Sequence, residues 1–159
     1  DIENKTIAWI GDGNNMANSW IHAAKVFKFK LRLACPKRRL PQENVIKWAR
    51  ENNTDIEITE EPKKAAKNAD AILTDTWISM GEEGMDNPEK IFNKFQVNEE
   101  LFKEANDNAI FMHCLPAHRG QEVTKEIIDG PMSVVWDEAE NRLHIQKAIL
   151  SWAIADKLI

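Results

Sequence analysis

Short apolar runs alternate with segments of helical periodicity along nearly the whole chain, and this alternation narrows the possible folds more than any other feature. Thr6-Ile7-Ala8-Trp9-Ile10 reads as a buried strand halted by Gly11-Asp12-Gly13. From Asn15 to about Phe29, Met16, Trp20, Ala23, Ala24 and Phe27 recur at helical spacing. Leu31 to Cys35 is a second strand, closed by Pro36. Pro41 suits a first helical turn, and Val45, Trp48 and Ala49 carry that helix to about Asn52. Ile56 and Ile58 alternate with polar residues as in a strand near an edge. Glu61 to Ala69 is a helix opened by Pro62, and Ala71-Ile72-Leu73-Thr74 is another buried strand.

A long polar loop follows, from about Trp77 to Gln96, of the kind that is usually functional or mobile. Beyond it come a helix over Glu99 to Ala105, a strand at Ala109-Ile110-Phe111-Met112 and a helical turn from Thr124 to Ile128. Ser133-Val134-Val135-Trp136 reads as a last strand and Glu138 to Leu158 as a long terminal helix. Strands separated by helices imply an α/β fold: a doubly wound, mostly parallel sheet flanked by helices, Rossmann-like. At 159 residues, one domain over 1–159 is expected, with too little chain for two.

The terminal helix is unusual. Leu143, Ile145, Ala148, Ile149, Leu150, Trp152, Ile154, Leu158 and Ile159 form a stripe too broad for one packed face. In a chain this short, a missing partner surface is the better explanation.

Net charge bears on partners. At −5, with Lys37-Arg38-Arg39 as the one basic cluster, the chain is a poor nucleic-acid binder, and that cluster reads as a solvated loop between Pro36 and Pro41. No apolar run approaches the roughly 18 to 20 residues of a membrane span, and the first residues do not resemble a signal peptide. Cys35 and Cys114 are too few for a disulfide scaffold and read as free thiols. A cytoplasmic location is expected, and an organelle matrix after loss of a transit peptide would look the same.

In open α/β sheets the ligand crevice lies outside the carboxyl ends of the strands. Asn14 and Asn15, Asp75 with Ser79, Cys114, and Arg142 all fall there, from different segments. Such a set suits a small amino-acid-like zwitterion. Asp75 can pair with an ammonium, Asn15 and a backbone N–H can hold a carboxylate, and Arg142 can grip a phosphate or carboxylate. Each has a plainer role: Asn15 as a helix cap, Asp75 bonding its own turn, Cys114 as core filler, Arg142 pairing with Glu138.

Two other readings weaken on inspection. Gly11-Asp12-Gly13 begins like a dinucleotide fingerprint, but Met16 stands where the third glycine belongs, and no acidic residue ends the second strand. His113 beside Cys114 suggests a nucleophile pair, yet adjacent strand residues face opposite ways. His22, His118 and His144 have no metal-ligand spacing, so no metal is expected.

Four segments carry a resemblance: Gly11-Asp12-Gly13-Asn14-Asn15-Met16, Asp75-Thr76-Trp77-Ile78-Ser79-Met80-Gly81, His113-Cys114-Leu115-Pro116-Ala117-His118-Arg119-Gly120 and Glu138-Ala139-Glu140-Asn141-Arg142. In this order they resemble ornithine carbamoyltransferase, and Ser79-Met80-Gly81 is the family's ornithine signature. The resemblance implies that Asn15, Asp75, Ser79 and Met80 bind the α-amino and α-carboxylate groups of L-ornithine, Met80 through its backbone. Cys114 and the backbone of Leu115 would lie at the reacting centre, and Arg142 would contact carbamoyl phosphate. A thiolate near the amine is one group that would help it lose its proton, and the sequence does not assign the base. Citrulline and phosphate would form without a cofactor.

The chain departs from the family in lacking a Ser-x-Arg-Thr loop and a His-Pro-x-x-Gln motif. What is present resembles the carboxy-terminal, ornithine-binding domain, without the carbamoyl-phosphate domain or the family's trimer contacts. It is expected to be inactive alone, and a monomer or a weak self-associate. A stand-alone amino-acid-binding or interaction module is the alternative.

Overall fold

A computed structural model describes residues 1–78 and 87–155. Five parallel strands form one sheet: β1 Thr6–Ile10, β2 Lys30–Ala34, β3 Ile56–Thr59, β4 Ala71–Thr74 and β5 Ile110–His113. Their spatial order is β3-β2-β1-β4-β5. The helices are α1 Asn15–Phe27, α2 Glu43–Glu51, α3 Pro62–Ala66, α4 Pro88–Phe92, α5 Glu99–Phe102, α6 Lys125–Ile128 and α7 Val135–Ala155.

Period-two alternation divides each strand between two cores. From β1, Ile7 and Trp9 pack with Ile21 and Ala24 of α1 and Leu31 and Leu33 of β2. Ala8 and Ile10 face the other way, toward Ala65 and Ala66 of α3, Phe111 of β5 and Ile128 of α6. The central strands are covered on both faces, which is why β1 and β4 read as unbroken apolar runs.

The structure corrects several boundaries. Ser133 makes an isolated bridge to Phe111 rather than opening a strand, and Val135 already begins α7. Pro41 precedes α2, which starts at Glu43. The helices expected over 61–69 and 99–105 shorten to Pro62–Ala66 and Glu99–Phe102. The long polar loop contains α4 and a 3-10 turn at Asn93–Phe95. The basic cluster is not wholly solvated, because Arg39 grips the buried Asp12 carboxylate at 2.6 and 2.8 Å.

Gly13 is explained by that same contact. A Cβ there would fall 2.2 Å from the Pro41 nitrogen, so the loop carrying Arg39 packs directly on the glycine backbone. Close packing, rather than a nucleotide, accounts for the residue.

Candidate active site

The strand order reverses between β1 and β4, and open α/β sheets bind ligands at such a switch point. Thr74 Oγ1 ties the two tips by donating to the Ile10 carbonyl at 2.6 Å. Past these tips opens a cleft of about 650 Å³. Asn15 and Met16 line it from α1, Asp75, Thr76 and Ile78 from beyond β4, and Cys114, Leu115 and Pro116 from beyond β5. Glu138, Ala139 and Arg142 of α7 close the remaining side.

Asp75 is the hub of the floor, 9% exposed. Its Oδ2 accepts from Asn14 Nδ2 at 2.8 Å, and its Oδ1 accepts from the Thr76 N–H at 2.8 Å and from the Cys114 thiol at 3.4 Å. Asn14 does two jobs, since its Oδ1 also accepts from the Met16 and Ala17 N–H groups. The cap of α1 is therefore Asn14, and Asn15, as the first helical residue, is left to line the cleft.

Burial, reinforced by the Asp75 charge and the hydrogen bond to it, pushes the Cys114 thiol up to about 12. Cys114 is a neutral donor at physiological pH, which corrects the expected thiolate. Desolvation likewise raises the Glu138 carboxyl above the ordinary carboxylate range, although its Oε2 accepts from the His113 N–H at 3.0 Å. That bond ties α7 to the β5 tip. Glu138 does not pair with Arg142, which is exposed at the cleft and has no ion pair among the described residues.

Leu115 turns the chain with φ +55° and precedes a cis peptide bond to Pro116. His113 points away from Cys114: its Nδ1 accepts from the Leu115 N–H at 2.9 Å, and its Nε2 lies 3.4 Å from Glu122 Oε1. Asp75, His113 and Cys114 nonetheless bring one ligand atom each within 4.8 Å of one another. The spacing of histidines gave no sign of this cluster. Its donor set is already engaged, because metal binding there would require loss of the thiol proton and release of Nδ1 from Leu115.

Of the residues expected at the site, Asn15, Asp75, Cys114, Leu115 and Arg142 line this one cleft. Ser79 and Met80 lie outside the described residues. Sequence reasoning missed Asn14 as the partner of Asp75, Glu138 as a cleft carboxylate and Glu122 as a fully buried one. The offset of polar tip residues against the first helical turn was the available signal for Asn14. Glu122 sits in a polar stretch with no periodicity to betray burial.

Comparison with known proteins agrees with this geometry. Residues 3–153 match the family model described as aspartate/ornithine carbamoyltransferase, Asp/Orn binding domain. An ornithine carbamoyltransferase of Brucella abortus (strain 2308) is 54% identical over 156 residues, 98% of this chain and 50% of the relative. The solved ornithine carbamoyltransferase of Pyrococcus furiosus superposes with a TM-score of 0.88 at 48% identity, over 94% of this chain and 50% of that one. The anabolic enzyme of Campylobacter jejuni gives 0.90 at 35% identity, over 98% and 54%. The chain thus spans about half the length of the curated relatives it matches. It belongs to the aspartate/ornithine carbamoyltransferase family, as the domain that binds the amino-acid substrate.

Proposed function

We propose that this chain is the ornithine-binding half of an ornithine carbamoyltransferase, which joins carbamoyl phosphate and L-ornithine into citrulline and phosphate. The observation that carries the reading is the convergence of Asp75, Cys114 and Leu115 on one floor, with Arg142 across the cleft. Asp75, backed by Asn14, offers a carboxylate to an ammonium, and Asn15, Ser79 and Met80, the last through its backbone, complete the set for the α-amino and α-carboxylate groups. Arg142 supplies a planar donor fork to the phosphate.

In the reaction, the lone pair of a neutral δ-amine forms a bond to the carbamoyl carbon. The bond from that carbon to the bridging phosphate oxygen breaks, phosphate leaves, and the amine sheds a proton. Cys114 enters protonated, so it orients the amine as a hydrogen-bond partner rather than serving as the base. The backbone of Leu115, which lines the cleft, lies in this reading beside the reacting centre. No cofactor takes part.

A carbamoyl-phosphate domain, absent from this sequence, would supply the other wall and cover the apolar faces of α7. The isolated chain is then inactive, and a monomer or a weak self-associate, while the whole protein assembles as a trimer in the cytoplasm. No helix among the described residues is long and apolar enough to cross a membrane.

Titration with ornithine and norvaline, followed by amide shifts, tests the reading. Weak, saturable shifts at Asn15, Asp75 and Cys114 are expected, because half the walls are missing. In an enzyme reassembled with its other half, Asp75→Ala should weaken ornithine by about 2–4 kcal/mol, much of it the cost of an unpaired buried charge. An unchanged affinity would remove Asp75 from the site, and no shifts with either ligand would favour a module of another kind.

A further inference from the structure

His113 ends β5, held by two hydrogen bonds and set beside a buried carboxylate, with no hydrogen-bond partner at its Nε2 among the described residues. Its N–H donates to Glu138 Oε2 at 3.0 Å, its Nδ1 accepts from the Leu115 N–H at 2.9 Å, and its Nε2 lies 3.4 Å from Glu122 Oε1. The side chains of His113 and Glu122 are both fully shielded from solvent. Glu122 also accepts from the His118 N–H at 2.5 Å, while His118 Nδ1 stands off at 3.8 Å.

A ring nitrogen that accepts a hydrogen bond carries no proton, so Nδ1 is bare. A carboxylate without solvent is tolerated where donors face it. Glu122 accepts from the His118 N–H and lies beside the His113 ring, and a neutral ring whose Nδ1 is bare carries its proton on Nε2, the nitrogen nearest that carboxylate.

We propose that Glu122 and Glu138 are positioning residues: Glu138 anchors the His113 backbone, Glu122 favours the neutral Nε2–H tautomer of its ring, and the bare Nδ1 then fixes the backbone turn that presents Cys114 and Leu115 to the cleft. Leu115 sits at φ +55°, a left-handed conformation that is sterically costly for a leucine. The bond from its own N–H to Nδ1 offsets that cost. The other tautomer would set a donor against a donor and release the turn. His113 thus acts on geometry, not as a proton acceptor for Cys114, whose thiol is committed to Asp75. The assignment rests on the functional reading above for its effect on ornithine alone.

Long-range proton–nitrogen spectra of the labelled chain report which ring nitrogen carries the proton. At neutral pH His113 should show the Nε2–H pattern, and Glu122→Gln should keep it, since an amide oxygen can accept from both donors. Glu122→Ala should give mixed tautomers, a displaced Leu115 amide signal and about tenfold weaker ornithine binding. Glu138→Ala should speed exchange of the His113 amide, with Glu138→Gln restoring protection. An Nδ1–H or doubly protonated ring in the wild type, or an unaltered pattern in Glu122→Ala, would overturn the proposal. If Glu122→Ala does not fold, the wild-type and Glu122→Gln spectra decide. The expected tautomer in a chain that binds neither ornithine nor norvaline would sink the functional reading and leave the positioning assignment standing.

Discussion

Trp9 and Trp152 place the same side chain in opposite circumstances. Trp9, in the central strand, is 1% exposed and donates its indole N–H to the Asp12 carbonyl at 2.8 Å. Trp152, near the end of α7, is 60% exposed, and Leu143, Ile149, Leu150 and Ile154 of the same helix are all more than half exposed. The strand tips form a finished structure in which apolar burial and hydrogen bonding agree. Helix α7 is finished only at its start, where Val135 is buried and Glu138 bonds to the β5 tip. Its remaining apolar surface is what a domain shows where another domain belongs.

The contrast can be broken most directly by truncating both tryptophans. Trp9→Ala should cost about 3–5 kcal/mol in denaturant unfolding, as a cavity in a closed core. Trp152→Ala should stay within about 0.5 kcal/mol, as an exposed substitution. Equal losses would mean that α7 has found a packing partner, such as a second copy of the chain. Sedimentation adds to the comparison, since Trp152→Ala should then shift the chain toward monomer.

A chemical probe sharpens the other half of the comparison. With its thiol pushed up to about 12, Cys114 should alkylate slowly near neutral pH despite its place at the cleft. Asp75→Asn removes a negative charge that raises the thiol. The thiol should therefore ionise at lower pH, and alkylation should speed up. Identical rates for the two proteins would mean that Asp75 does not govern this cysteine.

Much of this was legible in the residues. The alternation of buried runs and amphipathic segments predicts every strand of the sheet, and the excess apolar surface of α7 is written in its composition. The errors share a cause: short segments whose outcome depends on tertiary contact. Ser133-Val134-Val135-Trp136 has strand composition, but Val135 is buried as the first residue of a helix, and a four-residue apolar run carries no period to separate the two. The state of the Cys114 thiol was illegible because ionisation depends on burial and on Asp75, 39 positions away in the chain. Glu122 was invisible because its burial beside the His113 ring at the β5 tip is set by the fold, although the His118 N–H that bonds it is a near neighbour in sequence.

The central claim is that the cleft is half of an active site. Citrulline formation from ornithine and carbamoyl phosphate tests it most directly, with the chain assayed alone and then mixed with a separately produced carbamoyl-phosphate-binding half. The account predicts no turnover by the chain alone and turnover on mixing that Asp75→Ala abolishes. Citrulline production by the chain alone, at a rate typical of whole enzymes, would contradict it.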